Sequence, residues 1–359
     1  MKIITWLKFY LCCLFLFSSL NTFAQDPNFH IYLCFGQSNM AGAGTIETQD
    51  KTVDPRFQKM YPMVGCNDVN HTFGTWYPAV PPLWGCNGGG LGPADYFGRT
   101  MVQNLPSNIK IGVIVVAIPG CDIRLFDKTG YQVVDTGYFV NYIPKKYNGA
   151  YGWLMDLAKL AQKDGVIKGF LMHQGETMPD STKWPGQVKR VYDSLVSDLK
   201  LDPTKTPLLV GEVLYTSAGG ESGGHNTTID TINRVIPNSY VISAEGLVGK
   251  DQWHFTAASE RIFGARYAQK MLSIEASGVK DDKLTSSERI LHHIAYKDGA
   301  VQINLGDNFS YRITNLCGSI IESGKGIGAL TVGKKLKSGI YLLSVKDKME
   351  SFTEKVFRK

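Results

Sequence analysis

Ile31-Tyr32-Leu33-Cys34-Phe35-Gly36-Gln37-Ser38-Asn39-Met40-Ala41-Gly42 passes from an unbroken apolar run directly into a glycine and a polar triplet. A short apolar run stopped by glycine reads as a strand buried on both faces, and the turn after it reads as the entrance to a helix. Working outward, Ile111–Ala117, Ile167–Met172, Leu208–Val213 and Tyr240–Ser243 repeat the strand character. Between them Tyr96–Asn104, Trp153–Lys163, Gln187–Leu199, Thr227–Val235 and Ala257–Ser273 carry helical spacing. Parallel strands need crossovers, and crossovers bring helices onto both faces. The expected fold is therefore α/β, a three-layer α/β/α sandwich on a parallel sheet. Residues 44 to 95 are too many for one crossover and are expected to form an elaborate loop region.

Both ends differ from this middle. Lys2 and Lys8 precede an apolar stretch from Phe9 to Leu20, followed by Thr22-Phe23-Ala24, the pattern of a secretory signal cleaved after Ala24. The stretch is shorter than the roughly 20 residues that cross a bilayer, so the mature protein is expected to have no membrane span. Beyond residue 278 the chain turns polar, then alternates at Val301–Asn304, Tyr311–Asn315, Gly339–Val345 and Phe352–Phe357, which reads as a small antiparallel β module. The expected organisation is a leader at 1–24, an α/β domain at 26–278, a linker at 279–290 and a β-sandwich at 291–359. With 43% hydrophobic and 19% charged residues the chain is not disordered, and a formal charge of +6, partly removed with the leader, gives no nucleic-acid footprint.

In an open parallel sheet, ligands bind beyond the carboxyl ends of the strands. Four segments lie there: Gly36 to Gly42, Pro119-Gly120-Cys121, His173-Gln174-Gly175-Glu176 and Asp251-Gln252-Trp253-His254. A serine at a strand-to-helix turn such as Ser38 serves as a nucleophile when a base takes its proton. His254 is the expected base, with Asp251 three residues earlier holding the imidazole. The Ser38 N–H, the Gly120 N–H and the Gln174 amide are the expected oxyanion donors. Taken singly, Ser38 is a helix cap, His254 a surface or core histidine and Gly120 a turn residue; their joint placement favours chemistry. His173 and His225 are weaker candidates for the base. Glu176 is left with two roles, bonding the backbone of the nucleophile loop or serving His254 beside or instead of Asp251.

Loss of the leader leaves Cys34, Cys66, Cys86, Cys121 and Cys317, so one must stay unpaired in an oxidising compartment. Cys66 and Cys86 flank a loop and are a possible disulfide; Cys34 reads as a buried small hydrophobe. There is no CxxC or HExxH, and His292-His293 alone is poor support for a metal, so neither metal nor cofactor is expected. The loop between the two cysteines carries His71, Phe73, Trp76, Tyr77 and Trp84. Trp76, Tyr77 and Trp84, with Trp253, are candidates for a wall on which a ligand ring lies, the alternative being a small satellite core.

These blocks resemble the SGNH hydrolase superfamily, and within it the sialate O-acetylesterase-like group that includes carbohydrate esterase family six. The residues that carry the likeness are Gly36 to Gly42, His173-Gln174-Gly175-Glu176 and Asp251-Gln252-Trp253-His254, and Gly90-Leu91-Gly92-Pro93 also looks like a family segment. The resemblance spans roughly residues 28 to 275. It implies a flavodoxin-like fold, metal-free deacetylation of esterified sugars, Ser38 as nucleophile, His254 as base, Asp251 as its partner, and Gly120 and Gln174 as oxyanion donors. It departs from the pattern at Pro119-Gly120-Cys121, where such enzymes show Gly-Gly-Thr, and at Ala94, where they carry an acid. Residues 309 to 359, with Tyr311 to Gly318, Leu336 to Leu343 and Lys355 to Lys359, look like the sorting domain of proteins exported by the type IX secretion system. That likeness implies the secretion machinery as a partner and a secreted or cell-surface location, the alternative being a sugar-binding accessory module. The expected function is a secreted carbohydrate O-acetylesterase, xylan-type hemicellulose favoured. The rivals are a sialate O-acetylesterase, a non-catalytic glycan-binding protein, and an esterase or lipase for lipid or aryl substrates.

Overall fold

The computed structural model describes residues 25–63, 70–85, 89–133, 142–147, 149–177, 182–278, 294–297, 300–315, 319–346 and 351–358. The leader, the 279–290 linker, His292-His293 and the expected Cys66–Cys86 pair lie outside the described residues, as does Cys317. Two compact units divide the chain between Ser273 and Ile274.

In the first unit the strands are β1 (Asp26–Gly36), β2 (Phe57–Met60), β3 (Trp76–Pro78), β4 (Lys110–Ala117), β5 (Gly165–His173), β6 (Leu208–Gly211) and β7 (Ser239–Ile242). They form one sheet in the order β3-β2-β4-β1-β5-β6-β7, parallel except for β3 at one edge. The helices are α1 (Ser38–Ala41), α2 (Pro93–Asn104), α3 (Ala150–Ala161), α4 (Trp184–Asp198), α5 (Asn226–Ile229) and α6 (Ala257–Gly278).

Side chains alternate across each strand, so β1 feeds two cores at once. Phe29, Ile31, Leu33 and Phe35 join a buried cluster with Trp153 and Leu157 of α3 and Trp184, Val188 and Leu195 of α4. On the opposite face Tyr32 meets Phe97 of α2 edge-on at 4.8 Å, and the Tyr267 hydroxyl of α6 donates to the Met172 carbonyl at 2.7 Å. Burial on both faces explains why the sequence shows continuous apolar runs here instead of alternation.

Two local expectations are corrected. The region between β1 and α2 contains β2 and β3, whose three or four residues are too few to show a period. Thr227–Val235 is not one helix: α5 has four residues and a separate 3₁₀ turn covers Ile232–Arg234.

The second unit comprises β8 (Ile294–Lys297), β9 (Ala300–Asn315), β10 (Ile320–Val332), β11 (Gly339–Lys346) and β12 (Ser351–Arg358). Its described strands form an antiparallel sheet, order β10-β9-β11-β12 with β8 also on β9, the small all-β unit expected beyond the α/β domain. Val301, Ile303, Phe309, Ile313, Leu343, Val345 and Val356 cluster on it. Strand β10 lies outside the four alternating runs read from the sequence, and Gly324, Gly326 and Gly328 leave it without their pattern. Partner aromatics stabilise the strand: a Cβ at Gly324 or Gly326 would lie 2.8 Å from the Tyr311 ring or 2.5 Å from the Phe309 ring, so those rings cover the bare backbone.

Candidate active site

Register brings the site together. Gly36 pairs with Ala117 on one side and His173 on the other, so the loops after β1, β4 and β5 leave the sheet side by side at its carboxyl edge. The two neighbours of β1 are reached by different crossovers, which opens a crevice at its end. Gly36 has φ of 143°, and a Cβ there would lie 1.9 Å from the His173 carbonyl oxygen, so only glycine lets the chain turn this tightly. The Gln37 N–H donates to the His173 carbonyl at 2.9 Å, and Ser38 opens α1.

The fourth segment arrives from beyond β7. An antiparallel bridge between Gly249 and Phe255 and a 2.8 Å bond from the Lys250 N–H to the His254 carbonyl close a tight loop. Within it Asp251 Oδ1 accepts the backbone N–H groups of Trp253 at 2.9 Å and His254 at 2.8 Å. His254 Nδ1 lies 2.8 Å from Asp251 Oδ2, and His254 Nε2 lies 2.9 Å from Ser38 Oγ. Hydroxyl, imidazole and carboxylate thus form one chain. Partial burial alone pushes the Asp251 carboxyl up, but bonds from the His254 ring and from the Trp253 and His254 N–H groups prevail, and it sits below its ordinary value. It stays charged beside the ring.

Behind Ser38 is a buried polar layer. Asn39 Nδ2 donates to Glu176 Oε1 at 2.7 Å and to the Trp253 carbonyl at 3.0 Å, while its Oδ1 accepts from the Phe255 N–H at 3.3 Å. One amide therefore ties the Ser38 turn to the segment on both sides of His254. The sequence assigns Asn39 no role; its place directly after Ser38 is the available signal. Glu176 bonds this side chain, not the loop backbone, and His254 Nδ1 is held by Asp251, which resolves the two roles left open for Glu176.

Gln174 is corrected. It is fully buried, its amide donates to the carbonyls of Cys121 at 3.2 Å and Thr177 at 3.1 Å, and its oxygen accepts from the Trp184 indole. Both donor hydrogens are used in bracing the loops, so it does not supply an oxyanion donor in this arrangement. Gly120 has φ of 73°, and its carbonyl accepts from the Thr177 hydroxyl at 3.0 Å. The N–H groups of Ser38 and Gly120 make no hydrogen bond among the described residues.

The competing histidines are core residues. His173 is fully buried, with Nε2 3.0 Å from the Glu212 carbonyl and Phe255 and Phe263 edge-on to its ring. His225 is buried edge-on to Trp184. Cys34 and Cys121 are free and buried, and desolvation pushes both thiols far up, which makes them poor nucleophiles. Among the described residues no group of three or more His, Cys, Asp or Glu is arranged to hold a metal.

In front of Ser38 and His254 lies an open cleft of about 410 Å³, lined by Ala41 to Ile46, Trp84, Gly89, Gly90, Pro119 and Lys250. Its wall is braced from behind: Asp50 accepts from Arg261 at 2.7 and 3.0 Å and from the Tyr96 hydroxyl at 3.0 Å, pinning the end of the 43–50 segment to α6 and α2. Of the four aromatic candidates, Trp84 lines the cleft and Trp253 stands 41% exposed, its ring 6.5 Å from that of His254. Trp76 and Tyr77 are corrected. Trp76 packs on Phe29 and donates to Asp164 at 2.9 Å, near the opposite end of the sheet. Tyr77 meets His71, which stacks on Tyr61: a satellite core. Lys250 in the lining carried no motif, so the sequence reading missed it.

Residues 28–273 match the family model described as "Carbohydrate esterase, sialic acid-specific acetylesterase". Among solved structures, a protein from Arabidopsis thaliana superposes with a TM-score of 0.53 at 21% identity, covering 69% of this chain and 99% of that one. NanS superposes with a TM-score of 0.54 at 14% identity, covering 70% and 99%. At these identities the two share the α/β fold seen here.

Proposed function

This chain belongs to the carbohydrate esterase family of sialic acid-specific acetylesterases, and from that premise we propose that it is a serine O-acetylesterase that deacetylates carbohydrates through an acyl-enzyme. The observation that carries the reading is the 2.9 Å contact between His254 Nε2 and Ser38 Oγ, with Asp251 on the other ring nitrogen.

Ser38 Oγ attacks the acetyl carbonyl carbon as His254 Nε2 takes its proton. The tetrahedral oxyanion is held by the Ser38 and Gly120 N–H groups, two donors in place of the three first expected. Collapse breaks the carbonyl-carbon bond to the sugar oxygen, which leaves with the proton from His254. A water then gives its proton to His254 and attacks the acyl carbon, and acetate departs as the proton returns to Ser38. Asp251, kept charged, stabilises the imidazolium in both halves.

The experiment is acetate release from a panel of O-acetylated glycans, wild type beside Ser38→Ala. Turnover that vanishes in the variant supports the reading. Equal rates favour the glycan-binding alternative, and a preference for long acyl chains favours a lipid esterase. Xylan-type hemicellulose is the substrate favoured by the sequence; the family description supports the sialate alternative, and the panel separates them. We further propose export by the leader and the β unit acting as an address, tested by localisation with and without residues 285–359.

A further inference from the structure

The side of α6 that faces the end of β5 carries a carboxyl group that the triad does not use. Residues 260, 263 and 267 share one stripe of the helix. Tyr267 reaches the Met172 carbonyl, and Phe263 lies edge-on to the His173 ring at 5.6 Å, so the next turn back aims Glu260 at the residues that follow His173. There Glu176 Oε1 accepts from Asn39 Nδ2 at 2.7 Å and lies 3.6 Å from His173 Nδ1. His173 Nε2 meets the Glu212 carbonyl, which only accepts, so that nitrogen carries a hydrogen. Glu260 and His173 are fully buried, and Glu176 Oε2, His173 Nδ1 and both Glu260 oxygens have no hydrogen-bond partner among the described residues.

Two charged carboxylates repel strongly where water is excluded, so such a pair holds on to a proton. Geometry decides which member keeps it. Glu176 has a donor, Asn39, to stabilise a negative charge, and Glu260 has none. The titratable and charged groups around Glu260 are Glu176 and His173 at the end of β5, Lys250 in the His254 loop and Tyr267 on its own helix. Arg261, its chain neighbour, is turned to Asp50 and Glu47. Burial and Glu176 together outweigh the pull of Lys250 and hold the Glu260 carboxyl well above its ordinary value.

We propose that Glu260 is a positioning residue: by staying neutral it keeps a single negative charge behind Ser38, on Glu176, so that Asn39 holds the Ser38 turn and the His254 segment together. The inference rests on the esterase reading for what that turn does. Ionising Glu260 adds a second negative charge, repels the carboxylate that Asn39 bonds, and loosens the amide from Trp253 and Phe255.

The test follows kcat and KM of the full chain on a soluble chromogenic acetate ester from about pH 6 to about pH 10, for wild type and Glu260→Gln. Carboxyl-carbon NMR of glutamate-labelled protein runs beside it, with the Glu260 signal identified by its loss in Glu260→Gln. Wild type is expected to lose about tenfold in kcat, at constant KM, as the Glu260 signal titrates. Glu260→Gln, which keeps the shape and cannot ionise, is expected to lack that fall. In Glu176→Gln the Glu260 signal is expected to titrate at lower pH, because the repelling charge is gone. The same alkaline fall in wild type and Glu260→Gln, a Glu260 signal already ionised at neutral pH, or a titration indifferent to Glu176→Gln overturns the proposal. If the signals behave as expected but no turnover depends on Ser38, the single-charge layer stands and the esterase reading fails; turnover with an unaltered pH profile does the reverse.

Discussion

The turn at residues 37–42 has an outward side and an inward side, and they are built differently. Outward, Ser38, His254 and Lys250 border an open cleft, and the bonds of Ser38 and His254 run to each other along the cleft wall. Inward, Gln37, Asn39 and Gln174 are buried, and their amide groups are bonded to neighbouring loops. Reactivity needs accessible groups whose bonds can be exchanged, whereas position needs groups whose bonds are too costly to break once water is excluded. Neighbouring residues of one short turn thus serve opposite ends.

The comparison is broken first at Ser38. Ser38→Ala is expected to lower kcat by about 10⁴- to 10⁶-fold while leaving the melting temperature near wild type, as measured by acetate release beside a thermal melt. A large loss of stability would show that the outward side is structural too.

On the inward side, Asn39→Ala frees the Trp253 carbonyl, the Phe255 N–H and the Glu176 carboxylate at once. We expect kcat to fall about 10²-fold through displacement of His254, with KM little changed. Unchanged kcat would mean that Asp251 alone sets the ring.

Gln174→Ala is sharper still. As a brace, the side chain is expected to contribute about 1 to 3 kcal/mol of stability, seen in a denaturant titration, with kcat close to wild type. Loss of an oxyanion donor would instead cost about 10² to 10³ in kcat with the fold intact, and that result would restore the role the sequence suggested.

Glu260 of α6 extends the inward layer. It is fully buried, neither carboxyl oxygen has a hydrogen-bond partner among the described residues, and burial, reinforced by Glu176 against the weaker pull of Lys250, holds its pKa well above the ordinary value of 4.5. The folded state therefore binds this proton more tightly than the unfolded state. Its contribution is fully present below the unfolded pKa and is lost as pH rises through the folded pKa. Glu260→Gln, which cannot ionise, is expected to gain melting temperature over wild type at pH 9 and to gain less at pH 4. A difference that does not change with pH would refute this account.

The smallest effect is expected at Trp76→Phe, which removes one exposed bond to Asp164 and leaves the cleft untouched. Stability should fall by no more than about 1 kcal/mol and kcat/KM should hold on every glycan. A selective loss on polymer would return Trp76 to the substrate wall.

Much of this was legible beforehand. Five strands were legible as apolar runs, and in β1, β4 and β5 burial on both faces makes those runs long; Ser38, Asp251 and His254 followed from where strands end. Strands β2 and β3 were not legible, since Gln58 and Lys59 break the apolar run of the one and Pro78 ends the other, and β10 was hidden by glycines whose cover comes from rings on the neighbouring strand. Gln174 misled because a side-chain amide has the same chemistry whether it faces a substrate or a carbonyl. Only Cys121, Thr177 and Trp184, brought in by other loops, fix which.

By itself the sequence determined the α/β class, five of the strands of the first sheet and the candidates Ser38, Asp251 and His254, because periodicity and turn chemistry are local properties of the chain. Tertiary structure decided which polar groups are already bonded: Asn39 and Gln174 tied inward, Trp76 and Tyr77 carried off to their own neighbours, Lys250 set in the cleft wall with Ser38. A hydrogen bond between residues far apart in the chain leaves no periodic trace, so only the folded register could assign these parts.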